Sequence, residues 1–128
     1  MTETFRKLNY KAQRPILVFN APDSFQSELD VMEAAEIHRK PTRGRTYDFV
    51  LAFAAMKSDL LMAAEAIKPF IATDAILWFA YPKQTSKAFT SDLNRDECRA
   101  TLARLGFETV RQIAIDADWS ALRYKRTA

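Results

Sequence analysis

The chain has 128 residues, a net charge of +3, 48% hydrophobic and 27% charged residues. That size suits one domain able to bury about two thirds of its unfolded surface, and the composition excludes disordered and fibrous classes. A single cysteine, Cys98, excludes an internal disulfide and a thiolate zinc site, and the lone His38 argues against a multi-histidine metal site or a histidine-based triad.

Residues 1–13 read as a polar N-terminal arm of the single domain 1–128, without the apolar stretch of a secretory signal. No run approaches the roughly 20 apolar residues needed to span a bilayer, so a cytoplasmic protein with no membrane partner is expected. Pro15 introduces a first strand, Ile16-Leu17-Val18-Phe19, closed by Asn20-Ala21-Pro22. Asp23 or Ser24 then opens a helix with Phe25, Leu29 and Met32 at helical spacing. Ala35-Glu36-Ile37-His38 reads as a short second strand, with His38 a surface residue on it, and Arg39 to Arg45 as a basic surface loop.

Residues 47–54 form a third strand, and Ser58-Asp59 caps a helix buried through Leu60, Ala64 and Ile67 and limited by Pro69. Residues 75–83, AILWFAYPK, form the central strand: an unbroken apolar run marks a parallel strand covered on both faces. Asn94 and Glu97 predict a capping box for the next helix, with Leu93 stapled against Cys98, and Gly106 ends it in the left-handed position. Residues 107–115 and 119–125 are two strands joined by Asp116-Ala117-Asp118, a connection too short for a parallel crossover. The elements predict an α/β fold: an open, doubly wound, mostly parallel six-stranded sheet with a C-terminal antiparallel hairpin.

Tyr47-Asp48-Phe49-Val50, Ile67-Lys68-Pro69 and the terminal hairpin resemble the later half of Rossmann-like S-adenosylmethionine-dependent methyltransferases. The resemblance implies a truncated version of that fold, with the last strand inserted antiparallel between the fourth and fifth. Asn20-Ala21-Pro22, Pro82-Lys83, Leu93-x-Arg95-Asp96 and Asp116-x-x-Trp119-Ser120-x-Leu122-Arg123 make residues 8–126 similar to a family of small bacterial domains of unknown function related to the same fold.

A methyltransferase of this kind needs a glycine-rich first turn and a carboxylate at the end of the second strand for the ribose hydroxyls. The first turn reads Phe19-Asn20-Ala21-Pro22-Asp23-Ser24, the second strand ends in His38-Arg39-Lys40, and the chain holds only Gly44 and Gly106. No cofactor is therefore expected, and the function read from the residues is a non-catalytic, methyltransferase-like binding or regulatory module. A divergent methyltransferase or another small-molecule enzyme is the alternative.

Ligands of open α/β sheets sit outside the carboxyl ends of the strands. There the chain collects Asn20, Asp23, Lys83, Ser86, Asp116, Asp118, Trp119 and Ser120, candidates for a small polar or anionic ligand and no set for catalysis. Asp116 and Asp118 serve equally well as turn residues. Trp119 is expected beside Lys83, its N–H bonded at the rim and a cation over its ring. Ser91 reads as a loop or cap residue, and Asp92 and Asp96 as complements to the positive end of the following helix. Arg39, Lys40, Arg43 and Arg45 form an anion or nucleic-acid candidate, but no aromatic residue among them could stack a base. A solvated loop is the preferred reading.

Overall fold

The described residues, 2–32 and 35–127 of a computed structural model, form α1 (Glu3–Lys7), β1 (Ile16–Phe19), a 3₁₀ turn (Asp23–Phe25) leading into α2 (Gln26–Asp30), and β2 (Ile37–His38). There follow β3 (Tyr47–Phe53), α3 (Lys57–Ile67), β4 (Ile71–Pro82), α4 (Arg95–Ala103), β5 (Phe107–Ala114) and β6 (Trp119–Arg126). Among the described residues, no helix is long and apolar enough to cross a membrane.

The three continuous apolar runs become neighbouring parallel strands in a sheet of order β2-β1-β3-β4-β6-β5. β6 lies antiparallel between β4 and β5, as the hairpin and the resemblance imply. Burial explains the insertion. Trp119, Ser120, Ala121 and Leu122 are buried in succession, which suits an interior strand, whereas Glu108, Val110, Arg111 and Gln112 leave β5 exposed along much of its length. A register shift between Thr109 and Arg111 and these charged side chains blunt the free edge that β5 presents.

One face of the sheet packs Leu17, Val50, Leu77, Phe79 and Tyr124 against Leu60, Ala64 and Ile67 of α3 and Cys98 and Leu102 of α4. The other packs Val18, Phe49, Leu51, Trp78 and Ala121 against Phe5 and Leu8 and against Phe25 and Leu29. The N-terminal arm is thus not simply polar. Phe5 and Leu8 are buried, and the Trp78 indole donates to the Leu8 carbonyl at 2.9 Å inside the core. Arg111 donates to the Lys7 carbonyl at 3.2 Å and lies 5.6 Å from the Trp78 ring centroid, while the Lys7 ammonium donates to the Ala114 carbonyl at 2.7 Å. Short helices without strong propensity are held by such packing rather than by their own hydrogen bonds.

The helix caps differ from the sequence pattern in two places. Asn94 accepts from the Glu97 amide at 2.8 Å, but the Glu97 carboxylate does not close the capping box: it pairs with Lys57 at 2.8 Å and ties α4 to α3. At α3, Asp59 accepts from the Met56 amide at 3.2 Å and Asp92 accepts from the Lys57 amide at 2.7 Å. Asp92 therefore complements the preceding helix, because the loop before α4 folds back over the start of α3. Gly106 takes a φ of 86°, and the Lys68 ammonium donates to the Leu105 carbonyl at 2.7 Å to satisfy the exposed end of α4.

Leu93 and Cys98 are buried in the same cluster, where the sequence places them. Burial, reinforced by the charge of Glu97, pushes the Cys98 thiol from its ordinary 9.0 up to about 12. Burial likewise raises the phenols of Tyr81 and Tyr124 above their ordinary 10.0.

Trp78→Phe should cost about 1 to 3 kcal/mol, because it leaves the Leu8 carbonyl without its buried donor; urea unfolding measures the loss, and a neutral substitution would mean that the arm is held by apolar contact alone. The raised Cys98 value gives stability that is fully present below about pH 9 and is lost as pH climbs from 9.0 toward 12, since the unfolded thiol releases its proton first. The midpoint of urea unfolding should therefore hold up to about pH 9 and then fall, with Cys98 contributing a slope of up to about 1.4 kcal/mol per pH unit. Cys98→Ala should flatten that fall, and an unchanged slope in the variant would contradict the assignment.

Candidate functional site

β1 and β3 are neighbours, yet the chain leaves them toward opposite faces of the sheet. After β1 it passes into the 3₁₀ turn and α2, on the face of Phe25 and Leu29; after β3 it passes into α3, on the face of Leu60 and Ala64. A crevice opens at such a switch point for topological reasons alone. Here it is a cleft of about 580 Å³, formed by Phe19, Asn20 and Pro22 of the first turn, Phe53, Ala54 and Ala55 at the end of β3, Asp59, Met62, Ala63 and Ala66 of α3, and Phe89 and Trp119.

The first turn has no glycine, but Asn20 adopts a φ of 60°, the left-handed conformation that asparagine tolerates better than most residues. The turn is therefore as sharp as a glycine turn while carrying side chains at Asn20 and Ala21, and Pro22 has no amide hydrogen to offer a ligand. The single carboxylate on the cleft wall, Asp59, is engaged by the Met56 amide at the start of α3.

Trp119 forms the far wall. Pro82 and Trp119 are register partners across β4 and β6, which places the indole beside the end of the central strand and next to Lys83, as expected. It stands edge-to-face with Phe53 at 5.2 Å and with Phe89 at 4.9 Å between centroids. Two expectations for it fail. Its N–H is buried without a partner among the described residues, and no cation stands over its ring there; Arg111 lies over Trp78 and Lys68 over Phe107 instead. Phe89 packs against the indole at the rim of the cleft.

The segment that brings Phe89 over Trp119 is held by the side chains of three of the expected site residues and by the Lys83 amide. Ser86 donates to Asp118 at 2.8 Å and accepts from the amides of Ala88 and Phe89, each at 3.2 Å, while the Lys83 amide donates to the Asp118 carbonyl at 2.7 Å. Asp116 accepts from the amides of Asp118 and Trp119 at 2.8 and 2.9 Å. Asp116, Asp118 and Ser86 thus build the walls rather than face the cleft. Asp23, exposed at the start of the 3₁₀ turn, is not among the cleft residues. Lys83 and Ser120 face a separate cleft beside the start of α4. Ser91 donates to the Ala55 carbonyl and accepts from the Leu93 amide, the loop role expected of it.

The basic loop is partly tied down. Arg39 donates to Gln26 at 2.9 Å and Arg45 lies 3.7 Å from Glu36, which leaves Lys40 and Arg43 exposed without such a partner among the described residues. His38 is no loose surface residue. It is half-buried, within 2.6 Å of the Tyr47 hydroxyl and 3.0 Å of the Glu36 carboxylate, and the Thr42 amide donates to the same hydroxyl at 3.1 Å. These contacts fold the loop back on the buried Tyr47 and reduce the free positive charge available to a polyanion.

The sequence reading missed Phe53, Met62 and Phe89. Phe89 carried a signal: it is the one large apolar residue between Pro82 and Asp92, in a stretch otherwise short or polar. Met62 is 71% exposed on α3 although apolar, and that exposure follows from its position at the mouth of the cleft.

No family model matches the chain, and no curated protein matches it. Solved structures do. The mitomycin 7-O-methyltransferase MmcR is similar with a TM-score of 0.67 at 10% identity, over 97% of this chain and 53% of that protein. A DhpI complex with SAM and HEP gives 0.63 at 8% identity over 95% and 83%, and the B. subtilis M1A22 tRNA methyltransferase TrmK gives 0.58 at 7% identity over 98% and 66%. The chain thus spans about half of MmcR and two thirds of TrmK. Identity this low carries the fold and nothing finer, and the strand order agrees with it: the chain has the Rossmann-like α/β fold of the S-adenosylmethionine-dependent methyltransferases.

Proposed function

We propose that the chain is a non-catalytic, methyltransferase-like binding domain whose ligand occupies the cleft between the ends of β1 and β3. The observation that carries this reading is the cleft itself. It opens at the switch point where open α/β sheets take ligands, and its walls are mostly apolar and aromatic, with Phe19, Phe53, Phe89 and Trp119 in reach of one another. Such walls suit a compact, largely apolar ligand that stacks on aromatic edges.

S-adenosylmethionine does not fit the donor set. Its ribose asks for a carboxylate, where β2 ends in His38 and the nearby Glu36 carboxylate is engaged by His38 and Arg45. Its charged tail asks for close backbone approach, where Asn20 and Pro22 present side-chain atoms. A sulfonium near the first turn would find only Asp59 as a counter-charge, and that group already caps α3. Apart from Asp59, no titratable side chain lines the cleft to move a proton. The alternative, a divergent methyltransferase, draws its support from the fold and from the coverage of the DhpI complex with SAM and HEP, of which the chain matches 83%.

Calorimetric titration with S-adenosylmethionine and with S-adenosylhomocysteine separates the two. The binding-domain reading predicts dissociation constants weaker than about 1 mM for both, and a value in the low micromolar range, near −8 kcal/mol, supports the enzyme instead. Trp119→Ala should destabilise the fold by about 3 kcal/mol or more, since it removes a buried ring packed on two others. Thermal or urea unfolding reads that loss, and a stable variant would show that Trp119 is not a packing element of the cleft wall.

A further inference from the structure

A second cleft, of about 670 Å³, lies over the end of β4 and the start of β6 beside the first turn of α4, and it shares no residue with the first. Alternation along β6 explains why. Trp119 points to one side of the sheet and Ser120 to the other, where its register partner Tyr81 also lies. The floor of this cleft is therefore made of hydroxyls. Ser120 and Tyr81 are only 7% and 5% exposed, and both open onto it. The Tyr81 oxygen accepts from the Gln112 amide at 3.0 Å, which leaves the phenolic proton free to be donated. The rim carries Lys83 at the end of β4 and Arg95 at the start of α4, with Asp96 as the one carboxylate, so two positive charges against one negative leave a net +1.

We propose that this cleft is a small-oxyanion site: a carboxylate or phosphate group held by Lys83 and Arg95 at the rim, with the Ser120 and Tyr81 hydroxyls donating from the floor. An excess of donors and positive charge is what such a ligand needs, because each of its oxygens takes charge-assisted hydrogen bonds, and the start of the nine-residue α4 adds its own positive end. Asp96 restricts the site to ligands of low charge. It opposes a bare polyanion while leaving room for one oxyanion group on a small molecule. The inference does not depend on what the first cleft binds.

Nuclear magnetic resonance of the ¹⁵N-labelled protein tests it, with inorganic phosphate, acetate and chloride as separate titrants. Saturable shifts of the Ser120, Gln112 and Gln84 amides by phosphate or acetate, with Asn20 unmoved, support the site, and the stronger of the two titrants assigns its chemistry. Lys83→Met and Ser120→Ala, each checked for an otherwise unchanged spectrum, should weaken that binding by about tenfold. Shifts that never saturate, that chloride reproduces, or that persist unchanged in both variants overturn the proposal.

Discussion

The arrangement depends on one constraint: β6 must run between β4 and β5, in the register that sets Trp119 opposite Pro82. A hairpin as short as Asp116-Ala117-Asp118 forces β6 antiparallel to β5, and the four successive buried residues at its start force it inside the sheet. Everything at the carboxyl edge follows from that placement. The indole lands beside β3, Phe89 is drawn over it, and the loop after β4 is bonded to the hairpin through Ser86 and Asp118. The next residue, Ser120, necessarily faces the other way and opens the polar cleft. One strand thus supplies the aromatic wall of one cleft and the hydroxyl floor of another.

The fold supplies a crevice whatever its side chains are, because β1 and β3 send the chain to opposite faces. What a crevice binds is decided by the few groups at its lip. Here the lip has exchanged close backbone approach for Asn20 and Pro22, and the acidic strand end for His38, locked between Glu36 and Tyr47. On the binding-domain reading proposed above, those residues replace the features that hold a charged nucleoside, while aromatic surface and volume stay in place. The geometry and the low sequence identity to methyltransferases are compatible for that reason: the sheet is kept by apolar burial, which many sequences satisfy, and the lip is free to change.

Much of this architecture was legible in the residues. Continuous apolar runs at β1, β3 and β4 imply buried parallel strands and the three-residue turn implies an antiparallel hairpin, because period and length act locally; the place of β6 between β4 and β5 is what the methyltransferase resemblance implies. Asn94 and Gly106 were equally readable, since caps and left-handed positions are chosen by residue type. The misses involve groups far apart in sequence. Glu97 turns to Lys57 on another helix, Asp92 serves the helix before it, and Phe5 and Leu8 read as parts of a polar tail although both are buried and the Leu8 carbonyl takes the Trp78 indole. The site divides in the same way. Asn20 and Trp119 could be placed at one edge from topology, but that Asp116, Asp118 and Ser86 brace the loop, and that Ser120 turns away from Trp119, depends on register and on which neighbour wins a hydrogen bond.

Native mass spectrometry of the protein purified from its own cells tests the central claim most directly, because it asks what the first cleft holds without presupposing a ligand. The account predicts a small molecule that leaves on denaturation, is absent from Trp119→Ala, and has a mass other than that of S-adenosylmethionine or S-adenosylhomocysteine. Either of those two nucleosides, bound one to one, would contradict it.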